Sequence, residues 1–352
     1  MELSAASWRG RKVLITGHTG FKGAWLSLWL TELGARVTGF ALAPPTQPSL
    51  FELTRVGDRL KHVEGDIRDA AALLSAFRSA EPELVLHLAA QSLVRRSYRE
   101  PVETYQTNVI GTVNVLEACR AIPSIRGVLI VTSDKCYQDH ASDRPYREGD
   151  PLGGHDPYSS SKACAELASA AYRQSYFSSP KTPVLATARA GNVIGGGDFA
   201  ADRLIPDIVR TLESREQLVV RNPKAVRPWQ HVLEPLAGYL LLAERLCGND
   251  RTCGEAWNFG PRMDDAQTVE WVLGRALPLF GLPPEWNVQP QPALPEAALL
   301  TLDSSKAQER LSWSPRLGIE AALEWTARWY TACRQGANPQ AVTLEQIREY
   351  MK

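Results

Sequence analysis

The hydrophobic pattern of the first 190 residues alternates between short apolar runs and longer stretches with helical periodicity. The apolar runs lie at about residues 12–16, 36–41, 62–65, 84–90, 128–132 and 184–190. Alternation of this kind is typical of a parallel sheet with helices on both faces. The sequence therefore predicts a doubly wound α/β fold for this part of the chain.

The pattern changes near residue 191, where the alternation is lost and Pro, Trp and Arg become frequent. A chain of 352 residues is long enough for two lobes. We predict a cofactor-binding domain over residues 1–190 and a smaller, mostly helical substrate-binding lobe over residues 191–352. A segment around residues 232–260 is predicted to return to the first domain.

Composition narrows the classes of partner. The chain has 39 basic and 39 acidic side chains, so its net charge does not favour nucleic acid or an anionic membrane as a partner. Six cysteines are scattered without a C-x-x-C pair, as is typical of reduced thiols. No apolar run approaches the roughly 20 residues of a membrane helix, and no apolar signal core is present. We therefore expect a cytoplasmic protein.

A glycine-rich turn, G-H-T-G-F-K-G at residues 17–23, follows the first predicted strand and precedes a helical segment. This context is that of a dinucleotide site, because glycines let the backbone approach a pyrophosphate and the helix N-terminus offers free N–H groups. The alternative is a plain connection between strand and helix. The turn predicts cofactor contacts from Gly17, Thr19, Gly20, Phe21, Lys22 and Gly23.

Further cofactor contacts are expected where later strands end, because ligands of such sheets bind at the carboxyl ends of the strands. These residues are Asp66, Ile67, Leu88, Ala89, Ala90, Thr107 and Thr132. Asp66 is predicted to accept from an adenine amino group, or else to cap the next helix, a role that suits Asp69 better. The second strand ends in Leu42 and Ala43 without the acidic residue that selects NAD, so the residues leave NAD and NADP open.

Two groups of residues suggest chemistry. Tyr158 and Lys162 are spaced i and i+4 in a helical segment, so their side chains share one face. A neighbouring ammonium lowers the pKa of a tyrosine, which could then take a proton from a sugar hydroxyl. Ser133, Asp134 and Lys135 follow the strand at 128–132 and are expected at the same edge of the sheet. The alternatives are an exposed helix face and an exposed turn.

Six residues are candidates for substrate binding: Gln91, Asn108, Asn192, Arg203, Arg227 and His231. The arginines suit a nucleotide diphosphate, because a guanidinium donates two hydrogen bonds to phosphate oxygens; the alternative is a surface salt bridge. Asn108 either bonds backbone or orients water. For His231 a packed, hydrogen-bonded imidazole is favoured over a base. No H-x-x-x-H pair or carboxylate cluster indicates a metal.

Together, the motifs G-H-T-G-F-K-G, G-D-I-R-D, T-S-D-K, Y-S-S-S-K and A-R-A-G-N-V-I-G-G-G-D resemble the extended short-chain dehydrogenase/reductases over nearly the whole chain. T-S-D-K-C-Y, R-A-G-N-V-I-G-G-G-D and R-P-W-Q-H-V-L-E-P-L resemble the family of CDP-glucose 4,6-dehydratases in particular. The resemblance implies a Rossmann-type fold, NAD as cofactor and CDP-glucose as substrate. It implies formation of CDP-4-keto-6-deoxyglucose for deoxysugars of O-antigen-type polysaccharides.

The resemblance also implies roles for the site residues. Tyr158 takes the proton of the carbon 4 hydroxyl while hydride passes to NAD, and Ser133 hydrogen-bonds the same oxygen. Lys162 lowers the pKa of the tyrosine and holds the nicotinamide ribose. Lys135 removes the carbon 5 proton, Asp134 protonates the leaving hydroxyl on carbon 6, and hydride returns to carbon 6. The related dTDP-glucose dehydratases have Glu in place of Lys135.

Other functions stay open at this point. A 4-epimerase or a GDP-mannose 4,6-dehydratase would use the same fold, although epimerases are not expected to carry Asp134 and Lys135. A non-enzymatic NAD-binding sensor would not need Tyr158 or Lys162. The family commonly pairs subunits through helices that flank the sheet, which here implies a homodimer or homotetramer built on residues 107–121 and 161–176.

Overall fold

The structure, a computed structural model, describes residues 3–139, 144–214, 217–288 and 300–352. Its strands are β1 (Lys12–Thr16), β2 (Arg36–Ala41), β3 (Lys61–Glu64), β4 (Leu84–His87), β5 (Gly127–Val131), β6 (Val184–Ala190), β7 (Val193–Ile194), β8 (Val219–Val220), β9 (Val226–Pro228), β10 (Gln230–His231), β11 (Ala256–Phe259), β12 (Ala266–Thr268) and β13 (Asn287–Val288). Seven of them form one parallel sheet in the order β11-β6-β5-β4-β1-β2-β3.

Helices connect these strands and build most of the second half of the chain. They are α1 (Ala5–Trp8), α2 (Phe21–Glu32), α3 (Leu50–Leu53), α4 (Ala70–Ala80), α5 (Val94–Arg99), α6 (Pro101–Tyr105), α7 (Gly111–Ala121), α8 (Pro157–Ser175), α9 (Leu204–Ser214), α10 (Leu233–Cys247), α11 (Val269–Leu279), α12 (Ser305–Leu311), α13 (Ile319–Arg334) and α14 (Pro339–Met351). Short 3₁₀ turns lie at Val56–Asp58, Asp134–Cys136, Arg251–Cys253 and Met263–Asp265.

Side chains of the central strands cover both faces of the sheet, because successive residues of a strand point to opposite sides. Val13 and Ile15 of β1 belong to a buried cluster with Trp25 of α2. Leu14, between them, belongs to a second cluster with Phe77 of α4. Helices therefore pack on both faces, which confirms the predicted doubly wound parallel fold.

The second half of the chain contributes to the same sheet. Residues 232–260, the segment predicted to return, contain α10 and β11. β11 pairs in parallel with β6, with Trp257 opposite Ala188, and Leu236 of α10 belongs to the same buried cluster as Trp25 of α2 and Leu323 of α13. Residues 1–190 and residues 191–352 thus contribute to one core.

Two boundaries differ from the sequence prediction. β4 ends at His87, so residues 88–90 continue as a loop at the edge of the sheet rather than as strand. The helix predicted from residue 107 begins earlier, because α6 starts at Pro101 and leads directly into a π-helical turn, Gln106–Ile110, which α7 continues from Gly111. Such turns occur frequently at functional sites, and this one lies beside the predicted active site.

Candidate active site

The carboxyl ends of β1, β4, β5 and β6 border one cleft, because parallel strands end at the same edge of a sheet. Its volume is about 1160 Å³, which is larger than a typical pocket for one small ligand. The cleft continues between the sheet edge and the residues around α9. It therefore has room for a dinucleotide together with a second ligand.

Glycine is required at two positions of residues 17–23, one in the loop that follows β1 and one in the first turn of α2. Gly17 has a φ of 78°, and a Cβ atom there would lie 2.6 Å from the backbone nitrogen of Ala89. A Cβ atom on Gly23 would lie 2.2 Å from the carbonyl oxygen of Gly17. The loop therefore packs directly against the chain that leaves β4, which no larger residue would permit.

The first turn of α2 is suited to a phosphate group. Its N-cap is Gly20, which gives no side-chain hydrogen bond, and the turn contains no acidic residue. Free N–H groups at a helix N-terminus attract anions. Thr19 Oγ1 donates to the carbonyl oxygen of Leu42 at 2.9 Å, which ties this loop to the end of β2.

Every residue predicted to contact the cofactor lines the cleft: Gly17, Thr19, Gly20, Phe21, Lys22, Gly23, Asp66, Ile67, Leu88, Ala89, Ala90, Thr107, Thr132, Tyr158 and Lys162. The carboxylate of Asp66 accepts hydrogen bonds from the backbone nitrogen and Nε of Arg68 at 2.9 and 2.8 Å, and this contact lowers the pKa of Asp66. Asp69 caps α4 by accepting from two backbone N–H groups.

The end of β2 adds lining residues that the sequence prediction did not include. Leu42, Ala43 and Thr46 border the cleft, and none of them carries a charge. Arg55, the next arginine along the chain, lies 2.6 Å from Asp58 and is not among the lining residues. This end of the cleft is therefore lined by neutral side chains after β2, as the sequence indicates.

Helix α8 brings Tyr158 and Lys162 to the end of β5, and both side chains are buried. The helix N-terminus is capped by Asp156, which accepts from the backbone nitrogen of Ser159 at 2.9 Å. Lys162 Nζ donates to the carbonyl oxygen of Val131 at 3.2 Å. Burial lowers the pKa of Lys162 to about 8, although the charge of Glu166 opposes this shift.

The pKa of Tyr158 differs from the sequence expectation. Burial raises this pKa to about 12, and the hydrogen bond with Ser133 and the charge of Arg203 only partly offset the effect. The sequence predicted a pKa lowered by Lys162, but burial disfavours the phenolate more strongly than the neighbouring groups favour it. The phenol thus keeps its proton at neutral pH in this structure.

The three residues after Thr132 form what we call the Ser-Asp-Lys turn (residues 133–135). Ser133 Oγ accepts from the backbone nitrogen of Lys135 at 3.2 Å and donates to Asp134 Oδ1 at 3.0 Å. Asp134 is buried, and burial raises its pKa against the opposing charge of Lys135. A Cβ atom on Gly191 would lie 2.9 Å from Asp134 Oδ2, so the glycine makes room for this carboxyl group.

A second lysine reaches the same space. Lys22, in the first turn of α2, has its Nζ 3.5 Å from the hydroxyl oxygen of Tyr239. Burial, aided by the charges of Arg203 and Lys162, lowers the pKa of Lys22 to about 7, although Asp134 opposes the shift. The sequence predicted Lys22 from its place in the glycine loop, whereas its electrostatic contact with the catalytic candidates emerges only from the fold.

Four of the six predicted substrate residues line the cleft: Gln91, Asn192, Arg203 and Arg227. Arg203 Nη1 lies 2.9 Å from Asp198 Oδ2. The sequence prediction missed Arg95 and Arg221, which also line the cleft and lie 3.8 and 2.6 Å from Asp202. Neither belongs to a motif, and only the fold shows that they border the same cleft as Arg203 and Arg227.

The other two predicted substrate residues lie outside the cleft. The Asn108 side chain accepts from the backbone nitrogen of Gln91 at 2.9 Å and donates to Ser161 Oγ at 2.9 Å, so the amide bonds the protein rather than a ligand. His231 is buried, with its ring centroid 6.0 Å from that of Trp25. Burial lowers the pKa of His231 to about 3, and its imidazole is neutral and packed.

The described residues were also compared with the requirements of a metal site and of a membrane-spanning helix. Within them, no group of three or more His, Cys, Asp or Glu side chains is arranged to hold a metal ion. No helix in that part of the chain combines the length and apolarity that crossing a bilayer requires.

Sequence comparison places the chain among sugar-nucleotide dehydratases. A profile of the GDP-mannose 4,6 dehydratase family matches residues 14–326. The chain is 48% identical over 348 residues to the CDP-glucose 4,6-dehydratase of Salmonella typhimurium, with 98% of this chain and 97% of the relative covered. It is 30% identical to the dTDP-glucose 4,6-dehydratase of Mycolicibacterium smegmatis, with 95% and 97% covered.

Solved structures show the same fold. A dTDP-glucose 4,6-dehydratase of Streptomyces venezuelae, solved with NAD bound, superposes with a TM-score of 0.79 at 26% identity, over 93% of this chain and 99% of that one. The Bacillus anthracis enzyme with NAD gives a TM-score of 0.78 at 23% identity, over 94% and 100%. The chain therefore belongs to the GDP-mannose 4,6-dehydratase family of extended short-chain dehydrogenase/reductases, and within it to the CDP-glucose 4,6-dehydratases.

Proposed function

We propose that this chain converts CDP-glucose to CDP-4-keto-6-deoxyglucose in an NAD-dependent hydro-lyase reaction that feeds deoxysugar biosynthesis. One observation carries the proposal: Tyr158 and Lys162 border the same cleft as the Ser-Asp-Lys turn and the glycine loop. Oxidation of a sugar hydroxyl needs a base beside the cofactor, and elimination of water needs an additional acid and base. The cleft contains residues suited to all of these roles.

The residues present fit an NAD molecule. The glycine loop and the first turn of α2 would hold the pyrophosphate, Asp66 the adenine amino group, and Lys162 the nicotinamide ribose. When bound, NAD supplies the hydride acceptor for carbon 4 and the hydride donor for carbon 6. The neutral end of β2 carries no arginine for the 2′-phosphate of NADP, and the similarity to NAD-containing dehydratases supports the same choice.

Oxidation at carbon 4 is assigned to the residues of α8. Tyr158 takes the proton of the carbon 4 hydroxyl, and Ser133, which bonds the tyrosine, hydrogen-bonds the same oxygen. Because the pKa of Tyr158 is about 12 in the free protein, loss of its proton must accompany binding of the ligands. Lys162, fixed to the carbonyl of Val131, supplies positive charge next to the reaction.

Elimination of water is assigned to the Ser-Asp-Lys turn. The 4-ketone acidifies the hydrogen on carbon 5, Lys135 removes this proton, and carbon 5 is protonated again when hydride returns to carbon 6. Asp134, whose raised pKa favours the protonated acid, donates its proton to the hydroxyl that leaves carbon 6. The two residues are adjacent in sequence and reach the cleft from one turn, so acid and base act on neighbouring carbons of one sugar.

The arginines of the cleft are assigned to the diphosphate of the substrate. Arg203, Arg227, Arg95 and Arg221 all line the cleft. Guanidinium groups bind phosphate oxygens with two hydrogen bonds each. Since Arg203, Arg95 and Arg221 already contact carboxylates, substrate binding exchanges or extends these ion pairs.

The experiment mixes purified protein with NAD and, separately, CDP-glucose, dTDP-glucose, UDP-glucose and GDP-mannose. Product is detected by the alkali absorbance of a 4-keto-6-deoxy sugar. We expect product from CDP-glucose alone. Product from only one of the other nucleotide sugars would show that CDP-glucose is not the substrate, but it would still support the dehydratase reaction. A 4-epimer without keto sugar would refute the roles of Asp134 and Lys135, and NAD binding without any product would favour a sensor.

A homodimer is proposed from the surface beside the site. Val102 of α6, Ile110 of the π-helical turn and Leu167 and Tyr176 at α8 are exposed large hydrophobic residues, and α7 and α8 are adjacent helices that flank the sheet. Clustered exposed apolar residues mark association surfaces. Light scattering of the wild-type protein is expected to give the mass of two chains, and Leu167→Glu is expected to reduce it to the mass of one chain. A mass of one chain for the wild-type protein would contradict the dimer.

The cytoplasm is the proposed compartment. All six cysteines lie in described parts of the chain and are free thiols, which suits a reducing environment. Fractionation of the source cells with an antibody would check this.

A further inference from the structure

A buried ion pair lies beneath the Ser-Asp-Lys turn. Arg189 Nη2 of β6 lies 2.8 Å from Glu166 Oε2 of α8, and each side chain is only 3% exposed. Burial raises the pKa of Glu166, but the charge and hydrogen bond of Arg189 lower it further, so the carboxylate is ionised. Buried ion pairs add little net stability because both charges lose water, so this pair calls for another explanation.

The pair contacts the chain immediately before the Ser-Asp-Lys turn. Thr132 Oγ1 donates to Glu166 Oε1 at 2.5 Å. Glu166 follows Lys162 by four residues on α8, so both side chains point to the same strand end. Lys162 holds the carbonyl of Val131, and Glu166 holds the hydroxyl of the next residue. The N-terminal side of the turn is thus fixed to two successive turns of the helix.

The pair also contacts the chain immediately after the turn. Arg189 Nη1 donates to the hydroxyl oxygen of Tyr137 at 2.8 Å, and its guanidinium carbon lies 4.8 Å from the centre of that ring. The Tyr137 hydroxyl in turn donates to Asn258 Oδ1 of β11 at 2.6 Å. The C-terminal side of the turn is therefore fixed to the edge of the sheet.

We infer that the Glu166–Arg189 pair is a positioning device that fixes both ends of the Ser-Asp-Lys turn and so aims Asp134 and Lys135 at the sugar during elimination. The inference rests on the function proposed above. Neither Glu166 nor Arg189 lines the cleft, so both act through other residues. Their loss should affect the elimination half of the reaction more than the binding of CDP-glucose.

Tyr137→Phe tests the C-terminal link, because it removes only the hydroxyl that joins Arg189 to Asn258. A single turnover of CDP-glucose is followed by the absorbance of reduced cofactor, which rises on oxidation and falls after elimination. We expect the rise to stay within about twofold of wild type and the fall to slow by about ten- to a hundredfold, since small misplacements of reacting groups have effects of this size. The KM for CDP-glucose should not change.

Tyr350→Phe is the matched control. Its hydroxyl donates to the buried Glu234 Oε2 at 2.9 Å, away from the cleft, so this variant also loses one buried hydrogen bond. We expect both phases to run at wild-type rates. Arg189→Lys adds a second test, because an ammonium keeps the charge but cannot replace the planar fork that reaches both Glu166 and Tyr137. This variant should also slow the fall of absorbance.

The rates of the two phases distinguish loss of the positioning role from failure of the proposed function. Wild-type rates for both phases in folded Tyr137→Phe and Arg189→Lys would refute the positioning role. Equal slowing of both phases in these variants would also refute it, because a general loss of structure does not distinguish the two halves of the reaction. Failure of the wild-type protein to form any keto sugar would instead overturn the proposed function, and this inference with it.

Discussion

Burial shifts the pKa values of four ionisable side chains in the cleft in the direction that favours their neutral forms. Burial raises the pKa values of Asp134 and Tyr158 and lowers those of Lys22 and Lys162. In each case the neutral form is favoured, because water no longer stabilises the charge. In the free protein, burial therefore favours the protonated form of Asp134 and keeps Tyr158 protonated, and binding of the ligands must lower the pKa of Tyr158 before it can act as a base.

Tyr158 gives the first prediction. Ultraviolet difference spectra of wild type against Tyr158→Phe should show no phenolate below about pH 10 in the free protein, because burial opposes ionisation. A phenolate signal should appear near neutral pH when NAD is added. Turnover of Tyr158→Phe should fall by about 10²- to 10⁴-fold, the usual contribution of a general base. A phenolate already present at neutral pH without NAD would contradict this.

Lys22 gives a prediction about pH. Its pKa is about 7 in the fold against an ordinary value of 10.5, so between these values the unfolded chain binds more protons and stability rises with pH. Lys22→Met removes the titrating group. Without ligands, the variant should melt at a higher temperature than wild type at pH 7, and this advantage should shrink towards about pH 9.5. A difference that does not depend on pH would show that Lys22 is solvated.

At the scale of elements, the glycine loop between β1 and α2 decides how closely the cofactor approaches. Gly17 combines a left-handed backbone with a separation of 2.6 Å between its hypothetical Cβ and Ala89 N. Both the turn and the close approach to the end of β4 depend on this position. The loop is therefore a rigid part of the sheet edge rather than a flexible connection.

Gly17→Ala should weaken NAD binding and lower the melting temperature, because the added carbon meets backbone atoms. Gly10→Ala is the control: Gly10 also has a left-handed φ, of 74°, but nothing lies within 4 Å of its Cβ position. That variant should lose only the roughly 1–2 kcal/mol of left-handed strain and should bind NAD normally. Equal melting temperatures in the two variants would show that the close approach of Gly17 to Ala89 does not affect stability.

The elements also show what the sequence could predict. Strands were recognisable because buried residues of a parallel sheet form short apolar runs, and the glycine spacing identified the loop. The π-helical turn at Gln106–Ile110 was not recognisable, because helical periodicity continues through it. The role of Asn108 and the packing of His231 depend on partners far along the chain, as does the ion pair of Arg189.

At the scale of the whole molecule, the two predicted domains are not independent. β11, which lies in the segment predicted to return to the first domain, is the edge strand of the main sheet, and one buried cluster includes Trp25, Leu236 and Leu323 from different parts of the chain. Parts that share a core unfold together. The cleft between them is therefore held by the same contacts that stabilise the sheet.

Heating should reveal one cooperative transition. Tryptophan fluorescence and far-ultraviolet circular dichroism are expected to give the same midpoint, because Trp25, Trp257 and Trp313 lie in the shared cluster. Added NAD or CDP should move both signals to higher temperature by the same amount. Two separate midpoints, with only one moved by NAD, would show that the lobes unfold independently.

The place of β11 in the sheet has a consequence for synthesis of the protein. Until residues 256–259 leave the ribosome, β6 is the edge of the sheet, and its backbone groups on that side have no partner. All seven residues of β6 are buried in the finished structure, and an unpaired apolar edge invites association with other chains. The nascent chain is thus most vulnerable to aggregation after its cofactor half has been made and before β11 closes that edge.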